Sequence, residues 1–120
     1  MAIFSFDKFL AQARTLRTSS AEEDKRTAIS RAYYAAFHVC RNYLKRKKLF
    51  KLSPNGGQHV STISSLEANG LNDEADLLSG LRSLRNKADY DADFKSDINT
   101  AVDDALLDAE KLINKIRQLP

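Results

Sequence analysis

Two short runs of this sequence place side chains capable of phosphate or proton chemistry at helical spacing. Arg31, Tyr34 and His38 stand at i, i+3 and i+7, so on a helix they share a face and can touch. Arg82, Arg85, Asn86, Asp89 and Tyr90 form the second run, with Arg82 a turn before Arg85 and Asp89 a turn after it. A guanidinium can hold a phosphate through paired hydrogen bonds, and an imidazole can move a proton near neutral pH. A solvated helix face would account for the first run without any chemistry, and an Arg85–Asp89 ion pair at a bundle rim would account for the second. Cys40 falls within an apolar arc and reads as a packed thiol rather than a nucleophile. His59 follows Gly56-Gly57, but that loop has neither a Lys-Ser/Thr ending nor dinucleotide-binding spacing, so no phosphate cradle and no cofactor is expected there.

Charge adds a third feature. Residues 1–60 hold 12 Lys/Arg against 4 Asp/Glu, whereas residues 61–120 hold 7 against 12, so the halves carry +8 and −5. Either the halves fold together and partly neutralise, or a basic face awaits an anionic partner such as RNA. The run Arg41, Lys45, Arg46, Lys47, Lys48 and Lys51, with Tyr43 and Phe50 among it, could hold phosphates. A solvated helix end favoured by the helix dipole explains the same run.

The elements that must carry these residues are helical throughout. Phe6, Phe9, Leu10, Ala13 and Leu16 predict a first helix over Phe6 to Leu16. Ser20-Ala21-Glu22-Glu23 has the form of a capping box and predicts a long second helix to about Leu49, ending in cations. Its apolar arc, from Ala28 to Leu44, covers more than half the circumference and marks a central helix. A third helix is expected over Gln58 to Ala68 with Gly70 as terminator, and a fourth from a cap at Asn72 to Tyr90. On the fourth, Leu77, Leu81, Leu84 and Ala88 are assigned to the core, with Leu78, Arg82, Arg85 and Asp89 on the adjacent flank. The last helix, about Ser96 to Gln118, has the clearest stripe: Ile98, Ala101, Val102, Ala105, Leu106, Ala109, Leu112, Ile113 and Ile116. The expected fold is an all-α, antiparallel four- to five-helix bundle forming a single domain over residues 1–120.

Composition narrows the function classes. With 42% hydrophobic and 29% charged residues the chain is globular rather than disordered. No apolar run approaches the roughly 18 residues of a membrane helix, and Asp7 and Lys8 interrupt the start, so no signal peptide or membrane association is expected. One cysteine allows no intrachain disulfide and no cysteine-based metal site, and the expected compartment is the cytoplasm.

Arg31-Ala-Tyr-Tyr-Ala-Ala-Phe-His38 in the second helix and Leu84-Arg-Asn-Lys-Ala-Asp-Tyr-Asp91 in the fourth resemble the two motifs of the HEPN family of small helical domains. Their order, separation and helical setting match, and the likeness covers most of the chain. The resemblance implies an HEPN-like bundle that homodimerises, belonging to toxin–antitoxin or defence systems and often encoded beside a minimal nucleotidyltransferase. Many members are metal-independent ribonucleases. It assigns Arg85 and Asn86 to the catalytic motif, with Asp89, Tyr90 and His38 as further candidates, and makes Arg31, Tyr34, Arg82, Arg41 and Lys45 an RNA or partner face.

The departure is the motif histidine. Counted from Arg85 it should fall at Tyr90, Asp91 or Ala92, counted from Arg82 at Lys87, Ala88 or Asp89, and no histidine follows His59. Cleavage through the 2′-hydroxyl needs a base and a cation for the phosphorane. Arg85 can be the cation, but a tyrosine, titrating near pH 10, is a poor base. The leading expectation is therefore a dimeric RNA- or partner-binding module with little catalysis of its own. Its competitors are a ribonuclease toxin using Arg85 with Asp89, Tyr90 or His38, a substrate whose Tyr90 receives a nucleotide, and a plain helical adaptor for a nucleotidyltransferase.

Overall fold

The computed structural model describes residues 3–120, which hold five α-helices and no strand. They are α1 (Asp7–Arg17), α2 (Glu22–Arg46), α3 (Gln58–Ala68), α4 (Asn72–Tyr90) and α5 (Ile98–Arg117). α2 packs against all four others. Its alanines explain why: Ala28, Ala32, Ala35 and Ala36 are sealed from solvent and let neighbouring backbones approach closely. Around them Ile29, Tyr33 and Leu44 meet Leu78 and Leu81 of α4 and Val102, Leu112 and Ile113 of α5 in one core. The arc expected on α2 and the stripe expected on α5 are buried except at Val39 and Ile98, which are half-buried, and Phe37 of α2 is 4% exposed.

Cross-contacts give the helix directions. Asp7, Arg14 and Arg17 of α1 pair with Arg117, Glu110 and Asp103 of α5, so these two run antiparallel. Arg26, Ser30 and Tyr33 of α2 meet Asp91 just past the end of α4, then Asp89 and Arg85 within it, in the same reversed order. The basic and acidic halves of the chain thus neutralise each other in part, through α1 and α5.

Helix ends differ from expectation where a cap was assigned to the wrong residue. Ser20 caps nothing: Ala21 is the N-cap of α2, and Ser19 Oγ accepts from the Ala21 amide while bonding Asp24. Asn72 is the first residue of α4, not its cap, and α5 is capped by Asp97, whose side chain accepts from the Asn99 amide. α2 stops at Arg46 rather than Leu49. Lys48 takes φ +61°, and the Lys48 and Leu49 amides bond back to Lys45 and Leu44, a paired reversal that closes the helix. Gly70, at φ +76°, closes α3 in the same way, as its position predicted, with Leu71 bonding back to Leu66.

Candidate functional site

α4 is rotated relative to the face expected from its leucines. Leu78 is fully buried and Arg85 is 7% exposed, while Leu77 and Leu84 are only half-buried. Arg85 therefore does not sit at a bundle rim; it lies in the α2–α4 seam. Its guanidinium stands 5.4 Å from the ring centres of both Tyr33 and Tyr34, and 5.9 Å from that of Tyr90. Such packing stabilises a guanidinium through the aromatic faces rather than through counter-charge. The carboxylate expected to neutralise it is only marginally engaged. Arg85 Nη1 lies 3.5 Å from Asp89 Oδ2, which also takes a long 3.4 Å bond from Ser30 Oγ. Among the described residues, Arg85 Nε is buried with no hydrogen-bond partner, and Arg82 Nε a turn earlier on α4 and Arg31 Nε on α2 are in the same state. A buried donor without an acceptor costs about 1–3 kcal/mol. The two on α4 are donors that an acceptor from outside would satisfy.

The histidine that approaches these arginines is His59. It is the second residue of α3, and its Nδ1 hydrogen-bonds the Tyr33 hydroxyl. Its ring stacks on Phe37 at 4.4 Å and meets Tyr34 edge-on at 5.8 Å. Burial, then the nearby charges of Arg85 and Arg82, hold its pKa below the ordinary histidine value. Tyr33 is shifted the opposite way: burial raises its phenol far above the usual range, so its hydroxyl stays protonated. Where that hydroxyl donates, Nδ1 of His59 is the acceptor and the neutral ring carries its proton on Nε2. Three donors, the guanidiniums of Arg82 and Arg85 and the imidazole of His59, gather at one corner with Tyr33 as support.

His38, the candidate from α2, is elsewhere. It stacks on Phe6 at 3.7 Å, nearly parallel, and the N-terminal aromatics Phe6 and Phe9 pack beside it. Burial, Arg41 and His59 lower its pKa, with no contribution from Arg85. Arg31 is drawn to the same side, its guanidinium 4.7 Å from Phe9. Of the α2 face, Tyr34 joins the corner, while Arg31 and His38 are turned toward α1. Asn86 is exposed on the outer side of α4, and Tyr90 is 76% exposed, touching the corner only through its ring. Arg41 reaches the far edge, its Nε 2.7 Å from Gln58 Oε1, and Lys45 lies 5.3 Å from the Phe50 ring. Cys40 is fully buried and its thiol is pushed up to about 12, as befits a packed side chain.

The sequence does not mark two residues of this region as part of a site: His59 is set aside with its loop, and Arg26 is not singled out. His59 has no local spacing to Tyr33 or Arg85; only the packing of α3 on α2 and α4 brings it there. Arg26 closes the end of α4: its guanidinium donates to the carbonyls of Ala88, Asp91 and Ala92 at 3.0, 2.5 and 3.3 Å. Glu22, 2.9 Å from Arg26 Nε, and the Phe94 ring hold it in place. Carbonyls at a helix end have no partners within the helix, so this arginine fixes the turn of α4 that carries Asp89 and Tyr90.

No family model, no characterised protein and no solved structure matches this chain. The corner's role is read from its chemistry. Among the described residues, no group of three or more His, Cys, Asp or Glu could hold a metal ion, and no helix is long and apolar enough to cross a membrane.

Proposed function

We propose that the chain is a HEPN-type module that binds RNA through the Arg82–Arg85–His59 corner, without strong catalysis of its own. The observation that carries this is the Arg85 guanidinium, buried among Tyr33, Tyr34 and Tyr90 and only weakly tied to Asp89. An RNA phosphate is an acceptor of the right charge and shape for it, and it would also meet the Nε2–H of His59. With Tyr33 as the donor, the acceptor nitrogen of His59 is engaged and the nitrogen left free carries hydrogen, which is the tautomer this reading uses. The antiparallel meeting of α2 and α4 brings the two HEPN-like stretches side by side, which supports an HEPN-like bundle. From the resemblance come the remaining elements of the reading: a cytoplasmic homodimer in a toxin–antitoxin or defence setting, working with a minimal nucleotidyltransferase.

A second reading is favoured by the position of His59. It supplies, from α3, the imidazole that α4 lacks. If the Tyr33 hydroxyl turns to accept from Nδ1–H, Nε2 becomes the base. It would take the 2′-hydroxyl proton as O2′ bonds to phosphorus and return it to O5′ as the P–O5′ bond breaks, leaving a cyclic phosphate and a 5′-hydroxyl, with Arg85 on the phosphorane.

Incubation of the purified chain with end-labelled single-stranded RNA tests both readings. The expected result is a salt-sensitive complex with the RNA intact. No complex at low salt would overturn the proposal. Cutting that is lost in both Arg85→Ala and His59→Ala would replace it with the ribonuclease.

A further inference from the structure

Beyond the Arg85 corner, α2 continues into the most concentrated charge in the chain: Arg41, Lys45, Arg46, Lys47, Lys48 and Lys51. Its setting differs from that of the α1 cations. Arg14 and Arg17 each face a carboxylate of α5, but none of these six lies within ion-pair distance of any carboxylate among the described residues. The helix dipole favours cations in the last turn only, so it leaves Arg41, Lys48 and Lys51 unexplained. The left-handed turn at Lys48 folds the chain back and sets the Phe50 ring against two of the cations. The Arg41 guanidinium is 5.9 Å from the ring centre and Lys45 Nζ 5.3 Å. Lys45, Lys48, Phe50, Leu52 and Gln58 line an open groove, in which Leu52 is 59% exposed. Gln58 ties this groove to Arg41 and directly precedes His59, so the groove begins where the Arg85 corner ends.

Uncompensated cations around an apolar floor are the chemistry of a strand-binding track, with phosphates on the lysines and bases against the ring. We propose that this groove is a second phosphate-binding site. Together with the Arg85–His59 corner it holds one nucleic-acid strand along about 16 Å of α2, the rise from Tyr34 to Lys45. This rests on the corner being the RNA site. A duplex keeps its bases paired and cannot offer them to Phe50 and Leu52. An acidic polypeptide would satisfy the lysines but has no use for the ring.

The test uses the full chain and fluorescence anisotropy with labelled uridine oligomers. The probes are a dinucleotide, a ten-nucleotide strand, a duplex of equal length and polyglutamate. The variants are Lys45→Gln with Lys48→Gln, Phe50→Leu, and Arg85→Met. Both lysines are exposed, so the double variant leaves the core untouched. The ten-nucleotide strand should bind at least tenfold more tightly than the dinucleotide, and the double variant should erase that difference. It should also flatten the slope of log affinity against log salt by about 1.4, from two lost phosphate contacts. Phe50→Leu should weaken the strand several-fold without changing that slope. The groove is overturned if the double variant binds the strand as wild type does, or if duplex or polyglutamate binds as tightly with the same lysine dependence. Loss in the double variant with none in Arg85→Met would instead overturn the linked two-site strand and the corner with it. Loss in Arg85→Met alone would leave the corner and remove the groove.

Discussion

Arg85→Met is expected to keep or raise the thermal stability of the protein while weakening its binding of single-stranded RNA about 10- to 150-fold. The two halves of that result have separate causes. In the free protein the guanidinium is buried with one unpaired nitrogen and a 3.5 Å contact to Asp89, an arrangement that stabilises the fold poorly. Replacing a buried charge by an apolar side chain of similar length is often neutral or stabilising. Methionine keeps the packing against Tyr33 and Tyr34 and removes the unmet donors. In the complex, the lost charge-assisted hydrogen bonds to phosphate are worth about 1.5–3 kcal/mol, which sets the expected loss of affinity. Differential scanning calorimetry beside an RNA titration reads both. A melting temperature that falls by many degrees, with RNA affinity intact, would make Arg85 a structural residue.

The second large effect concerns the rotation of α4. Leu78→Ala should cost about 2–5 kcal/mol, the range for emptying a fully buried leucine site, and Leu77→Ala clearly less. Against a total stability of about 5–15 kcal/mol, the first change approaches unfolding. Urea denaturation of the two variants decides it. The reverse order would mean that α4 presents Leu77 and Leu84 to the core and Arg85 to solvent, and the site would dissolve with it.

That pair of leucines also shows where the sequence is informative and where it is not. On α5 the stripe from Ala101 to Ile116 is unbroken and the opposite side is polar but for the exposed Leu107, so period alone gives its buried face. On α4, Leu81 and Ala88 belong to either of two faces about 100° apart, one containing Leu77 and Leu84, the other Leu78 and Arg85. Local pattern prefers the all-leucine face. What turns the helix is tertiary: Leu78 reaches the shared core of α2 and α5, and Arg26 grips the carbonyls at the helix end. Gly70 was readable because left-handed backbone favours glycine; the same turn at Lys48 was not, because lysine carries no such mark. The candidate site divides in the same way. Arg82, Arg85, Asp89 and Tyr34 follow from helical spacing. His59 does not, since its neighbours Tyr33 and Arg85 lie far off in the chain and only the docking of α3 unites them. His38 has the better sequence spacing and the wrong surroundings.

The central claim is that an RNA phosphate meets His59 beside Arg85, and imidazole NMR titration tests it most directly. In the free protein both histidines should titrate below the ordinary value of about 6.5, since burial and nearby cations disfavour their charged forms. A bound phosphate favours the imidazolium. Added single-stranded RNA should therefore raise the midpoint of His59, and by more than that of His38, which lies on α2 but stacks on Phe6. RNA affinity should rise as pH falls through the His59 range. A bound RNA that raises His38 more than His59, or moves neither ring, would contradict the account.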